Sequence, residues 1–167
     1  QLRLIKGSGE AIRKINRKGL LTVVITNQPV IARGDLTFDG LNKIKNKLDY
    51  ELGLEGAYLD KTFICPHHPD KGFTGEIREL KIVCNCRKPK TGLIDQAVRE
   101  LKIDRNESWF IGDTTSDILA GKKSGLKTIL VGTGYAGNDK KYNVEPDFFF
   151  PDLNKAVDFI FNDYHKT

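Results

Sequence analysis

The chain reads as an α/β protein, a parallel sheet with helices on both faces and a small zinc-binding loop. Three observations predict this. Short β-branched apolar runs alternate with segments of helical apolar spacing, as in strand–helix–strand crossovers. The polar residues with chemical potential follow the strands, where ligands bind in such sheets. All three Cys and two of the three His lie between positions 65 and 86.

The elements follow in order. Ser8 is a candidate cap for a helix carrying Ala11, Ile12 and Ile15. Glu10 sits in its first turn and Gly19 ends it. Leu20–Ile25 is a continuous apolar run suited to a strand buried on both faces. A polar loop is expected from Asn27 to Leu36. A helix with Leu41, Ile44, Leu48 and Leu52 comes next, capped by Thr37 and stopped at Gly53. A strand over about Ala57–Ile64 leads into the Cys/His segment. Leu93, Ile94, Ala97, Val98 and Leu101 mark a helix, and Trp109–Ile111 a short strand ending at Gly112-Asp113. A helix from about Ser116 to Ser124, a strand Thr128–Val131, a short strand Phe148–Phe150 and a helix with Leu153, Ala156, Val157 and Ile160 complete the pattern.

The 167 residues, 39% of them apolar, suit one domain spanning 1–167, with 65–86 as a loop insert. No apolar run approaches the ~18 residues of a membrane span, and the N-terminus does not read as a signal peptide. The net charge of +5 is spread along the chain with acids interleaved. It suits attraction for phosphorylated metabolites, and the aromatic-laced basic stripe of a nucleic-acid binder is missing. The odd, clustered Cys count argues for a metal in a reducing compartment, the cytoplasm, rather than for disulfides.

Four segments carry candidate chemistry. Thr26-Asn27-Gln28 ends the Leu20–Ile25 strand, where a hydroxyl and main-chain N–H groups can hold phosphate, although such ends are more often plain turns. Cys65, Cys84, Cys86 and one of His67 or His68 make a closed set of four soft ligands, the pattern of a structural zinc. Arg87-Lys88 follows at once. A metal-anchored loop is a stiff mount for two cations, Lys88 for a transferring phosphoryl group and Arg87 for a substrate oxygen pair. Asp113 is delivered by a strand and a Gly, as a hard-oxygen ligand for Mg²⁺. Asp117, four residues on, suits the cap of the next helix.

A Thr after a strand, a Lys before a helix, then Gly-Asp-x-x-x-Asp after a strand resemble the later motifs of the haloacid dehalogenase (HAD) superfamily. More specific are Val24-Ile25-Thr26-Asn27-Gln28, Ile31-Ala32-Arg33-Gly34, Cys65-Pro66-His67-His68-Pro69, Cys84-Asn85-Cys86-Arg87-Lys88-Pro89 and Phe110-Ile111-Gly112-Asp113. Together they resemble the branch of heptose 1,7-bisphosphate and histidinol-phosphate phosphatases. The resemblance implies a HAD-like Rossmannoid sheet and Mg²⁺-dependent hydrolysis of a phosphorylated sugar, most specifically at the 7-phosphate of D-glycero-D-manno-heptose 1,7-bisphosphate. It implies Thr26 and Lys88 on the phosphoryl group, Asn27, Gln28 and Arg87 at the substrate, Asp113 on Mg²⁺, and Cys65, His67, Cys84 and Cys86 on zinc. Histidinol-phosphate hydrolysis would share these motifs. A polynucleotide 3′-phosphatase would explain the charge but not the zinc loop.

Three departures stand out. Pro29 replaces a small hydroxyl residue, and Thr114 replaces a Lys common in the heptose enzymes. The Asp-x-Asp-Gly motif, source of the nucleophile and the acid/base, is absent, as is any Met. The expectation is that this central strand lies upstream of Gln1 in a longer protein, which allows for a further fused domain. The sequence as it stands would then be inactive. The competing expectation is a non-catalytic, zinc-stapled binding module.

Overall fold

The computed structural model describes residues 2–162, so residues 1 and 163–167 of the expected domain lie outside the described residues. Five strands, β1 (Val23–Asn27), β2 (Lys61–Cys65), β3 (Trp109–Gly112), β4 (Lys127–Val131) and β5 (Phe148–Phe150), alternate with six helices. The helices are α1 (Ser8–Arg17), α2 (Pro29–Ala32), α3 (Phe38–Leu54), α4 (Gly92–Leu101), α5 (Thr115–Lys123) and α6 (Leu153–Asn162). Every strand pairing is parallel, as the alternation predicts.

Local chemistry explains most boundaries. Thr37 caps α3 by accepting from the Gly40 N–H at 3.0 Å. At α5, Thr114 and Asp117 form a reciprocal capping box, the role expected of Asp117. Four expectations are corrected. Ser8 is the first residue of α1 and makes no cap; Gly7 precedes it with φ +83°. Gly53 lies inside α3, and the chain turns at Gly56, φ +69°. The loop after β1 contains α2, because Pro29 presets the helical φ at a first-turn position that needs no N–H donor. The first strand starts at Val23, and Leu20 and Leu21 are half-exposed.

Alternation of side chains sorts the layers. Trp109, Ile111, Ile129 and Val131 face α6 through Ala156 and Ile160. Phe110 and Thr128 face α5, so closely that a Cβ at Gly121 would stand 2.7 Å from Thr128 Cγ2. Val23, Ile25, Phe63 and Cys65 pack on α4 through Leu93, Ala97 and Leu101.

The sheet is in two pieces, β1–β2 and β3–β4–β5. Among the described residues no strand bridges β1 to β3. A cavity of about 400 Å³ lies between them, lined by Leu21, Val23, Ile25, Trp109, Ile111 and Val157 among others. The main-chain groups of Thr22 and Gln28 bond on the β2 side, to Asp60 and Cys65. Main-chain groups alternate sides along a strand, so those of Val23 and Ile25 point to the open edge. The slot is lined mainly by apolar side chains, and among the described residues no strand pairs with the facing edges of β1 and β3.

Candidate active site

Polar side chains bridge the carboxyl end of β1 to the helix that follows β3. Lys88 is the hub. Its Nζ donates to the Ile25 carbonyl at 2.6 Å, on the open edge of β1, and lies 2.6 Å from Asp117 Oδ1. Both side chains are largely buried. Asp117 spends its other oxygen on the cap, accepting from the N–H and hydroxyl of Thr114 at 3.1 and 2.7 Å. Gly112 permits this: a Cβ there would stand 2.3 Å from Asp117 Cβ.

The main chain of Lys88 is held separately. Asn27 donates through Nδ2 to the Lys88 carbonyl at 3.2 Å and accepts from its N–H at 3.1 Å. Asn27 thus joins the tip of β1 to the Cys/His loop. Beside it, Gln28 Nε2 donates to the Thr26 hydroxyl at 3.1 Å, which fixes the orientation of that hydroxyl at the strand end. Arg87 turns back and donates to the His67 carbonyl at 3.3 Å.

The loop has its own centre. Cys65, His67, Cys84 and Cys86 bring their ligand atoms within 4.8 Å of one another. Cys65 Sγ lies 3.6 Å from Cys84 Sγ and 3.2 Å from Cys86 Sγ, and His67 Nδ1 lies 3.2 Å from Cys86 Sγ and 3.7 Å from Cys65 Sγ. Four ligands around tetrahedral zinc stand about 3.8 Å apart when bonds are near 2.3 Å, so this donor set fits a structural metal. Burial, then the Cys86 thiol, pushes the Cys65 thiol well above its ordinary range; a bound cation takes the place of that proton. His68 points elsewhere. Its ring packs edge-on to Phe73 at 5.7 Å and its Nδ1 is buried without a hydrogen-bond partner. Gly92 seats the loop on α4, since a Cβ there would meet the Asn85 carbonyl oxygen at 2.5 Å.

Asp113 projects from the end of β3. Its Oδ2 accepts from the Tyr135 N–H at 2.8 Å and its carbonyl from the Gly137 N–H at 2.8 Å. Among the described residues its Oδ1 has no hydrogen-bond partner, and a carboxylate oxygen is the donor type Mg²⁺ takes. The sequence reading missed two parts of this site, the Lys88–Asp117 pair and the turn that wraps Asp113. The cluster Gly132-Thr133-Gly134-Tyr135-Ala136-Gly137 directly after a strand was the available signal for the turn.

Comparison with known proteins decides the family. Residues 85–156 match the HAD-hydrolase-like family model. The chain is 42% identical over 136 residues to the D-glycero-beta-D-manno-heptose-1,7-bisphosphate 7-phosphatase of Pasteurella multocida, covering 80% of this chain and 71% of that protein. It belongs to the HAD-like phosphatases. Its place is in the heptose-bisphosphate phosphatase branch. The D-glycero-D-manno-heptose-1,7-bisphosphate 7-phosphatase of Chlorobaculum tepidum is 34% identical over 92% of this chain and 79% of its own length. The crystal structure of the D,D-heptose 1,7-bisphosphate phosphatase of B. bronchiseptica, complexed with magnesium and phosphate, superposes with a TM-score of 0.79. It has 29% identity and covers 92% of this chain and 81% of that one. The HAD-like α/β fold with parallel strands is thereby shown for this chain. Among the described residues no helix is long and apolar enough to cross a membrane.

Proposed function

We propose that this HAD-like phosphatase chain hydrolyses a sugar bisphosphate, removing the 7-phosphate of D-glycero-D-manno-heptose 1,7-bisphosphate. The observation that carries the proposal is the reach of Lys88, next to the Cys/His cluster, from the Ile25 carbonyl beside Thr26 to Asp117, four residues after Asp113, in a chain similar to enzymes named for that reaction.

The slot supports a division of labour. An extended segment upstream of Gln1 fills it, pairing with the open edges of β1 and β3, and brings two carboxylates to its mouth. One attacks phosphorus, forming an aspartyl-phosphate as the bond to the leaving oxygen breaks. The other protonates that oxygen and then takes a proton from the water that hydrolyses the intermediate. Thr26 donates its hydroxyl to a phosphoryl oxygen. Lys88 turns from the Ile25 carbonyl to the charge of the transferring group. Asn27, Gln28 and Arg87 line the sugar side. Mg²⁺, held in part by Asp113, supplies neutralisation of phosphate charge when bound. Zinc on Cys65, His67, Cys84 and Cys86 is structural and fixes the loop that presents Arg87 and Lys88. Three thiolate ligands suit a reducing compartment such as the cytoplasm.

The test is phosphate release from heptose 1,7-bisphosphate with Mg²⁺, comparing this chain with a version extended through the upstream coding sequence. Activity only in the extended protein is expected. Activity in neither, with zinc bound and the fold intact, refutes the assignment and favours a binding module.

A further inference from the structure

The turn after β4 is built around Asp113, and something must hold the turn. Three observations locate that support. First, Tyr135 and Gly137 donate main-chain N–H groups to Asp113, one to the carboxylate and one to the carbonyl, each at 2.8 Å. Second, Gly134 has φ +70°, and a Cβ there would stand 2.2 Å from Asp113 Oδ2. The turn therefore lies against the carboxylate with no room for a side chain between. Third, Asp139 accepts from the Thr115 N–H at 2.8 Å with one oxygen and from the Thr115 hydroxyl at 2.7 Å with the other. The same hydroxyl accepts from the Tyr142 N–H at 3.2 Å.

Both Asp139 oxygens bond Thr115, which makes Asp139 a strut. It also serves an orphan donor of the first turn of α5, where a carboxylate is favoured by the helix dipole. Main-chain turns rich in positive-φ residues do not hold their shape unaided; Gly134, Ala136, Gly137 and Lys140 all have φ above +40° here. Asp139 fastens this segment to the helix that begins two residues after Asp113.

We infer that Asp139 is a positioning residue: by gripping Thr115 it holds the Gly132–Tyr142 turn in place, so that the Tyr135 N–H fixes one oxygen of Asp113 and leaves the other to a divalent cation. The inference rests on the reading of Asp113 as a cation ligand. It assigns the rotamer of that ligand to a contact made by a residue that touches neither cation nor substrate.

The experiment uses the full chain and two readouts, amide hydrogen exchange by NMR and Mn²⁺ binding by electron paramagnetic resonance. Asp139→Ala is expected to speed exchange of the Tyr135 and Gly137 amides at least tenfold, with core amides such as Ile129 unchanged, and to weaken Mn²⁺ binding about tenfold, as loss of an outer-shell partner does. Thr115→Val should reproduce both effects and Thr115→Ser should restore both. Thr115→Val carries the test if Asp139→Ala does not fold. Unchanged exchange at Tyr135 overturns the strut. Faster exchange with unchanged Mn²⁺ affinity overturns the positioning role. Mn²⁺ binding that survives Asp113→Asn, or is absent from the wild type, overturns the reading of Asp113, whereas the exchange arm judges the strut by itself.

Discussion

Lys88 and Asp117 form the ion pair at the centre of the site, Nζ to Oδ1 at 2.6 Å, and each has a second duty. The lysine ties down a main-chain carbonyl at the open edge of β1, and the aspartate caps α5. The pair therefore links β1 to the helix that follows β3.

Removing the cation tests its role. Lys88→Ala in the extended protein should lower kcat about 100- to 1,000-fold, the usual cost of losing one transition-state donor. Thermal unfolding should confirm that the fold persists. Full activity in this variant would remove Lys88 from the mechanism.

Removing zinc tests the loop. The purified chain should carry about one zinc, because the four ligands close a tetrahedral set, and Cys84→Ser should lose most of it. Elemental analysis of the two proteins decides this. Chelation should also disorder Arg87 and Lys88, read as broadened amide signals, and a zinc content near zero in the wild type would argue against the assignment.

The slot gives an optical prediction. The cavity between β1 and β3 is lined mainly by apolar side chains, so this chain should enhance the fluorescence of an apolar dye such as ANS. The extended protein should not. Equal dye binding by both would show that the upstream segment does not enter the slot.

Gly92 should resist change. A Cβ at this position meets the main chain at Asn85, which cannot swing aside as a side-chain tip does. Gly92→Ala should cost about 1–3 kcal/mol, as overpacking does, measured by urea unfolding, and should lower zinc retention with it.

Acid should expose the contribution of Asp95. The Arg105 guanidinium at 2.7 Å, then the Thr91 hydroxyl, hold its carboxyl below the ordinary carboxylate range. A depressed folded pKa means stability that is present above the unfolded value of about 3.9 and lost as pH falls through the folded value. The wild-type advantage over Asp95→Asn in urea midpoint should be largest near neutrality and shrink below about pH 4. An advantage that does not change with pH would show that the pair is not linked to folding.

Much of this was legible in the sequence because it rests on local rules. Thr37, Gly19 and the apolar spacing of α4 mark their elements through capping, left-handed turns and periodicity. The four clustered Cys and His residues were visible as a set because soft ligands are scarce. Only the fold shows that His68 packs on Phe73 while His67 joins the thiols. The Lys88–Asp117 contact was not legible, since nothing in spacing brings a loop residue against the first turn of a helix 29 residues later. Asp139 was hidden for the same reason, as its partner lies 24 residues away. The strand expected at Leu20 begins late because the slot beside β1 leaves Leu20 and Leu21 without a neighbour to bury them.

Asn27 holds the main chain of Lys88 on both its N–H and its carbonyl, and leaves the side chain untouched. The residue is thus a crane on a bolted base. Its ammonium can trade the Ile25 carbonyl for an incoming phosphoryl group by side-chain rotation alone, with the main chain of the loop left in place. Delivery of charge at this position therefore requires no movement of the Cys/His loop.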